Sequence, residues 1–305
     1  MSVSKRLIIN VALFLAVASG SILTGCRSEK EPVDYVNPYI GNISHLLVPT
    51  YPTVHLPNSM LRVYPRREDF TGNKLNGLPV VVSRHRGYSP FSIYPFQGGN
   101  APEYIDYEYD NEKVTPYLYQ VCLQNIGADV RFAPSHQSAI YEIQFGGDGT
   151  PQLVVKSNNG SLTVDGNAVL GYEQLGEYAT KAYIYLEVDQ PVVSQEVNTQ
   201  GQSASASLKF ADNVKKLNVR YGISYIDEAQ AKKNLKREIA SSDLDAVAEK
   251  GRQVWNEALG KIEVQGSSEE DKTIFYTSFY RFYERMICMS EDGRYYSGFD
   301  GKVHN

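Results

Sequence analysis

The chain has 305 residues, with 30 Lys plus Arg against 35 Asp plus Glu and a net charge of −5. That acidic balance disfavours nucleic acid and anionic membrane surfaces as partners. Three cysteines and five scattered histidines are too few and too dispersed for a disulfide framework or a zinc motif, and no calcium-loop, serine-nucleophile or phosphate-loop spacing occurs.

The first 25 residues read as a leader. Lys5 and Arg6 precede an apolar run from Leu7 to Ala18, and Leu23-Thr24-Gly25-Cys26 follows as a lipobox. The run is shorter than the roughly 20 residues a bilayer core requires, which argues against a transmembrane helix. Cys26 is therefore the expected lipidation site, and the expected location is a bacterial cell envelope, periplasm-facing or at the outer-membrane surface. Without residues 1–25 the Lys plus Arg count falls to 28, for a net charge of −7. Residues 26–32 read as a charged tether. With Cys26 committed to lipid, Cys122 and Cys288 remain; two buried free thiols are the preferred reading, and a disulfide between them the alternative.

From residue 33 to residue 225 the period is two. Ala182, Ile184, Leu186 and Val188 share one face, as do Leu217, Val219, Tyr221 and Ile223, which predicts half-buried strands. Further strand-like runs at 117–123, 139–145, 152–156 and 204–210 are separated by Gly- and Asn-rich turns, so an antiparallel β-sandwich is expected. The period then changes to 3.6 over residues 226–260. Asp227 is placed to cap a helix carrying Ala231, Leu235 and Ile239, and Ser242 to begin another with Trp255 and Leu259 on its stripe and Gly260 as its stop. A short strand is expected over 261–265. Ser267 with Glu270 has capping-box spacing for a third helix, reaching to about Ile287. That helix carries two aromatic stripes, Phe275, Phe279, Phe282 and Met286 beside Tyr276, Tyr280, Tyr283 and Ile287, and so requires neighbours on two sides.

Three polar stretches are candidates for chemistry. Residues 41–52 contain His45 and Tyr51 among prolines, Ser83 to Gly87 carry Arg84, His85 and Arg86, and Asp300 and His304 lie in a glycine-bracketed turn. For the first two the bland alternatives are an ordered surface crossover and a solvated charged turn.

The run Phe275-Tyr276-Thr277-Ser278-Phe279-Tyr280-Arg281, then Gly298-Phe299-Asp300-Gly301-Lys302-Val303-His304, resembles the start of the catalytic domain of glycoside hydrolase family 92, the calcium-dependent exo-α-mannosidases. Val219 to Tyr225 and Trp255 to Ile262 resemble that family's domain junction. The resemblance implies a mainly β fold: an N-terminal antiparallel β-sandwich over 33–225, a helical linker over 226–260, and over 261–305 the first helix of an incomplete (α/α) barrel. It also implies an inverting glycosidase acting on mannose-containing glycans, with sandwich loops shaping the sugar pocket. His45, Tyr51, His85, Arg86, Asp300 and His304 become the expected substrate-binding residues. The carboxylates and most calcium ligands belong to the family's later barrel, so no catalytic residue, metal ligand or bound calcium is expected in this truncated chain. Pro57-Asn58-Ser59-Met60 departs from the Pro-Phe-Gly-Met of many members. The alternative function is a non-catalytic carbohydrate-binding lipoprotein that stacks sugars on Tyr104, Tyr107 and Tyr109. The incompletely covered helix is expected to fray or to associate with another copy.

Overall fold

A computed structural model describes residues 30–44, 46–67, 71–83, 89–99, 105–176 and 180–305. The Cys26 lipobox and three of the six expected site residues, His45, His85 and Arg86, lie outside the described residues, as does Tyr104.

In chain order the strands are β1 (Val54–His55), β2 (Arg62–Val63), β3 (Lys74–Asn76), β4 (Leu78–Pro79), β5 (Phe91–Gln97), β6 (Asp106–Val114), β7 (Tyr119–Leu123), β8 (Ala128–Pro134) and β9 (Ser138–Phe145). They continue as β10 (Pro151–Ser157), β11 (Gly160–Asp165), β12 (Ala168–Gln174), β13 (Lys181–Val188), β14 (Ser194–Gln200), β15 (Ser203–Lys209), β16 (Lys216–Ser224), β17 (Tyr295–Ser297) and β18 (Lys302–His304). Nine strands form one antiparallel sheet in the order β11-β12-β13-β16-β9-β8-β7-β6-β3, and five form a second, β14-β15-β10-β5-β4. Their inner faces make one core, in which Leu153, Val155, Ala206 and Leu208 of the smaller sheet join Ile143, Ile184, Leu186 and Leu217 of the larger. The β-sandwich is thus the observed architecture, and the period-two runs are its strands.

One expectation is corrected here. Strands β9 and β16 are buried on both faces, not one, because helices cover the outer face of the large sheet. Helix α1 (Glu228–Glu238) is capped by Asp227, whose side chain accepts from Gln230 N–H. Its Ala231 and Leu235 join Ile140, Ala133 and Tyr185 in a second cluster. Gly222 makes that approach possible, since a Cβ there would stand 2.2 Å from the Ala231 carbonyl oxygen. Helix α2 (Leu244–Leu259) is capped by Asp243, one residue past the expected Ser242, because the Asp243 carboxylate takes the Ala246 N–H at 3.0 Å.

No strand forms over 261–265. These residues find no partner strand and are mostly exposed, including Ile262. Helix α3 (Glu269–Phe282) is capped by Ser268 in place of Ser267: Ser268 Oγ accepts from Asp271 N–H at 3.0 Å and donates to Asp271 Oδ2 at 2.8 Å. The helix stops at Phe282, short of Ile287. Trp255, Leu259, Leu56 and Val33 cover one of its stripes, burying Tyr276 and Tyr280. The other stripe is covered in part: Phe275 and Phe279 are half-buried against the same cluster, while Phe282 is 70 % exposed and Met286, past the end of the helix, 84 %. A short 3-10 turn, Pro32–Tyr35, lies at the boundary expected between tether and sandwich and packs on α2 and α3, held by Val33 N–H to Asn256 Oδ1 and by the Arg252–Asp34 ion pair.

Cys122 is half-buried and Cys288 exposed, and both are free thiols, so the expected burial does not hold for Cys288. The tyrosine stacking platform is also corrected: Tyr107 is fully buried, with its hydroxyl donating to the Pro95 carbonyl, so it presents no ring to a ligand.

Candidate functional site

The described loop residues 37–44 and 46–53 include the partners of three side chains of α3, which hold the loop on that helix. Thr277 Oγ1 accepts from Asn37 N–H at 2.9 Å. Tyr280 donates its hydroxyl to the Thr53 carbonyl. Arg281 donates to the carbonyls of Tyr51 at 3.2 Å, Pro38 at 3.0 Å and Ile40 at 2.8 Å. A guanidinium, with its donors in a fixed fork, suits this role because it satisfies several loop carbonyls at once. Gly41, at φ +83, lets the loop close on itself, since a Cβ would stand 2.9 Å from Thr50 Oγ1.

Under this loop is a cavity of about 160 Å³ lined by Tyr51, Thr53, Arg62, Tyr64, Arg281 and Glu284 among others. Tyr51 stacks on Tyr64 with ring centroids 4.3 Å apart and planes 9° from parallel. Burial, and then the charge of Arg285, lower the pKa of the Arg62 guanidinium. Glu284 approaches Arg281 at 3.9 Å, and its Oε1 is buried without a hydrogen-bond partner among the described residues. An aromatic face, two guanidiniums and an unsatisfied carboxylate oxygen can hold a small polyhydroxylated molecule.

Behind the cavity sits His55, fully enclosed. Its Nδ1 lies 2.9 Å from the Leu56 carbonyl, so the proton is assigned to Nδ1, and its Nε2 has no partner among the described residues. Trp255 and Tyr280 pack on it at 5.2 and 5.1 Å. Burial pushes this imidazole down to about 4 in spite of the Glu284 charge. As pH falls below the ordinary histidine value of about 6.5, the unfolded chain takes up a proton that the fold refuses. Stability that is present above pH 6.5 is therefore lost progressively towards pH 4, by about 3 kcal/mol from this group. Chemical denaturation at pH 7 and pH 4.5 is expected to show that loss, and His55→Leu to flatten it; an equal pH slope in the variant would assign the loss to other groups.

Among the expected site residues, the structure places Tyr51 on this cavity. Asp300 and His304 form their own pair on the β17–β18 hairpin, 2.9 Å apart and half exposed, and no hairpin residue lines the cavity. Against desolvation, hydrogen bonds from Ser297 and His304 hold the Asp300 carboxyl below the usual carboxylate range. Arg62, Arg281 and Glu284 were not among the residues expected. Arg281 does stand in the aromatic run, with Glu284 three positions on, but a cation outside both aromatic stripes reads locally as a solvated helix position.

Asn58, in the segment that departs from Pro-Phe-Gly-Met, has a structural task. Its N–H donates to the Tyr283 carbonyl, its Nδ2 to the Met286 carbonyl at 2.7 Å, and its own carbonyl accepts from Cys288 N–H. It thereby supports the chain just after Glu284.

The chain's sequence matches the model of the glycosyl hydrolase family 92 N-terminal domain over residues 35–224. The chain belongs to glycosyl hydrolase family 92. The family's catalytic-domain model matches residues 230–305. Among solved structures, the family GH92 inverting mannosidase BT2199 from Bacteroides thetaiotaomicron VPI-5482 is 26% identical, with a TM-score of 0.77, over 90% of this chain and 43% of that chain. The family GH92 α-mannosidase BT3965 from Bacteroides thetaiotaomicron is 16% identical at TM-score 0.79, over 90% of this chain and 44% of that one. The family GH92 glycosyl hydrolase ccman5 is 18% identical at 0.74, with the same coverage. These last two share the fold. The family 92 chain thus spans less than half the length of the solved structures it matches. No curated protein matches it.

Among the described residues no three His, Cys, Asp or Glu side chains converge as metal ligands. The cavity sets two guanidiniums beside one carboxylate, an arrangement that repels a divalent cation, so its residues do not fit calcium.

Proposed function

We propose that this family 92 chain is the N-terminal portion of a surface-tethered, inverting exo-α-mannosidase of the calcium-dependent kind, acting on mannose-containing glycans. The observation that carries the reading is the 26% identity to an inverting mannosidase over 90% of this chain, with both family domain models matched in order. The Tyr51–Arg281 cavity is its sugar-contacting wall: the stacked Tyr51 and Tyr64 offer an apolar surface, and Arg62, Arg281 and Glu284 offer hydrogen bonds to hydroxyls.

An inverting reaction needs a general acid and a carboxylate base roughly 6.5 to 9.5 Å apart across the scissile bond. Among the described residues Glu284 is the only carboxylate lining this cavity, so the pair that an inverting reaction requires is not present among them. That single carboxylate supports reading these 305 residues, taken alone, as a binding unit without hydrolytic activity. The purified chain is expected to release no mannose from an aryl α-mannoside with calcium present. Calcium-dependent release above the rate of a Glu284→Gln control would overturn this.

Membrane attachment through a lipid on Cys26 rests on the lipobox. Cys26→Ala is expected to shift the protein from the membrane fraction to the soluble one. Mass spectrometry finding residues 1–25 still attached in the wild type would contradict the assignment. The exposed Phe282, Met286 and Ile274 support association through the end of α3.

A further inference from the structure

The outer face of the five-stranded sheet carries a groove of about 630 Å³. Its shape follows from the β10–β15 and β15–β14 registers. On β15, Ser203, Ser205 and Ser207 lie on the outer face, Ser207 only 9 % exposed between its neighbours, while Ala204, Ala206 and Leu208 are buried in the core. The register sets Lys156 and Asn198 on either side of Ser205, and Val154 and Glu196 on either side of Ser207. Short hydroxyl side chains therefore floor a trough whose walls are longer side chains one strand away on each side. At about 4.8 Å per strand the walls stand roughly 10 Å apart, and Ser203 to Lys209 spans roughly 20 Å.

Serine is a poor choice for a strand face whose purpose is packing, where β-branched and aromatic residues dominate. The hydroxyls of Ser205 and Ser207 make no side-chain hydrogen bond to protein among the described residues, their backbones being held in the strand ladder. At one end of the trough Gln152 is 1 % exposed. Its Nε2 donates to the Gly98 and Gly99 carbonyls, while its Oε1 is buried and unpartnered among the described residues. A buried amide acceptor left empty costs free energy, which a donor from a ligand recovers. The charges lining the trough are mixed, Lys156 and Lys209 with Glu196, and the Lys156 ammonium lies 5.2 Å from the Tyr94 ring centroid. That mixture favours neither a polyanion nor a polycation. Hydroxyls and amides that both donate and accept match the vicinal hydroxyls of a sugar.

We propose that this trough is a second glycan site, binding a neutral oligosaccharide chain along β15, separate from the cavity at Tyr51. The inference rests on the sheet alone and not on the mannosidase reading. Its function is to hold a polysaccharide against the protein while another part of the chain is engaged elsewhere, which raises the local concentration of glycan ends.

Native affinity electrophoresis of the 305-residue chain through gels containing yeast α-mannan, galactomannan, xyloglucan or polygalacturonate tests this. Retardation by at least one neutral polysaccharide is expected. A Ser205→Glu/Ser207→Glu variant, which fills and charges the floor, should bind at least tenfold more weakly at an unchanged melting temperature. In the galactomannan and xyloglucan gels, which hold no α-mannosyl units, Tyr51→Ala should be retarded like the wild type. Should the charged variant not melt cooperatively, Asn198→Ala/Gln200→Ala on the exposed edge strand decides, and it must also bind more weakly. No retardation by any neutral gel, retardation by polygalacturonate only, or binding that survives both groove variants would overturn the proposal. Binding lost in Tyr51→Ala alone would assign it to the cavity and overturn the proposal equally, while leaving the mannoside reading standing.

Discussion

Trp255→Ala is expected to cost about 3 to 5 kcal/mol of stability, the range for truncating a fully buried large aromatic side chain. Trp255 has no exposed surface, donates its indole N–H to the His55 carbonyl at 2.7 Å, and meets the rings of His55, Tyr280 and Tyr283. It is the contact through which α2 joins β1 on one side and α3 on the other. Removing it leaves a cavity, an unpaired carbonyl and a loosened α3, and α3 in turn holds the loop of residues 37–53. The thermal midpoint is expected to fall by roughly 10 °C. Trypsin should then cut within residues 261–305 much faster than within the sandwich. Trp255→Phe keeps most of the packing and loses only the hydrogen bond, so it should fall by a fraction of that. A midpoint in Trp255→Ala within a degree or two of the wild type would mean that α2 and α3 do not depend on this contact.

Glu291→Ala is the second large effect. This carboxylate is fully buried, with Oε1 accepting from Tyr225 N–H at 2.9 Å, Oε2 accepting from Asn234 Nδ2 at 2.8 Å, and the Ser224 hydroxyl also donating to it. Beside it Asp292 is drawn down to about 2 by the Lys233 ammonium, the Gln230 amide and the Arg237 guanidinium. The two acids pin the turn after α3 to α1 and the end of β16. Deleting Glu291 orphans buried donors at the Tyr225 amide and Asn234, at a cost of roughly 2 to 4 kcal/mol. Burial, working against those three hydrogen bonds, raises the Glu291 carboxyl above the usual glutamate range. The fold then binds that proton more tightly than the unfolded chain does, so this group's contribution to stability falls as pH rises from about 4.3 through the raised value. Glu291→Gln carries no such titration. Its deficit relative to wild type, measured by denaturant unfolding, should shrink between pH 4 and pH 7. A deficit that widens instead would show that the three donors outweigh burial.

Much of the sandwich was legible because its strands obey a local rule. Ala182, Ile184, Leu186 and Val188 alternate as a one-sided strand does, and the structure buries all four. What failed was set by distant partners. The second face of β16 is buried only because α1 arrives over Gly222, and nothing local to Leu217–Ile223 signals that helix. The 261–265 alternation had no neighbour to pair with. Glu291-Asp292-Gly293 has the composition of an ordinary turn, yet Glu291 is enclosed by residues 57 and 66 positions away. The cavity was half legible: Tyr51 stood in a loop marked by its prolines and polar residues, whereas Arg281 reaches that loop across 230 positions of sequence. On α3 two stripes were visible, and only packing against Trp255 and Leu56 decided that the Tyr276–Tyr280 stripe would be the more deeply buried one.

That the cavity walled by Tyr51, Arg62, Arg281 and Glu284 receives a mannosyl unit is tested most directly by saturation-transfer difference NMR with methyl α-mannoside. The 305-residue chain should carry Ser205→Glu/Ser207→Glu, so that the trough on β15 does not contribute. Transfer to the sugar ring protons is expected, falling at least tenfold when Tyr51→Ala is added at an unchanged melting temperature. No transfer in the parent, or transfer undiminished by Tyr51→Ala, would contradict the assignment of this cavity to mannoside binding.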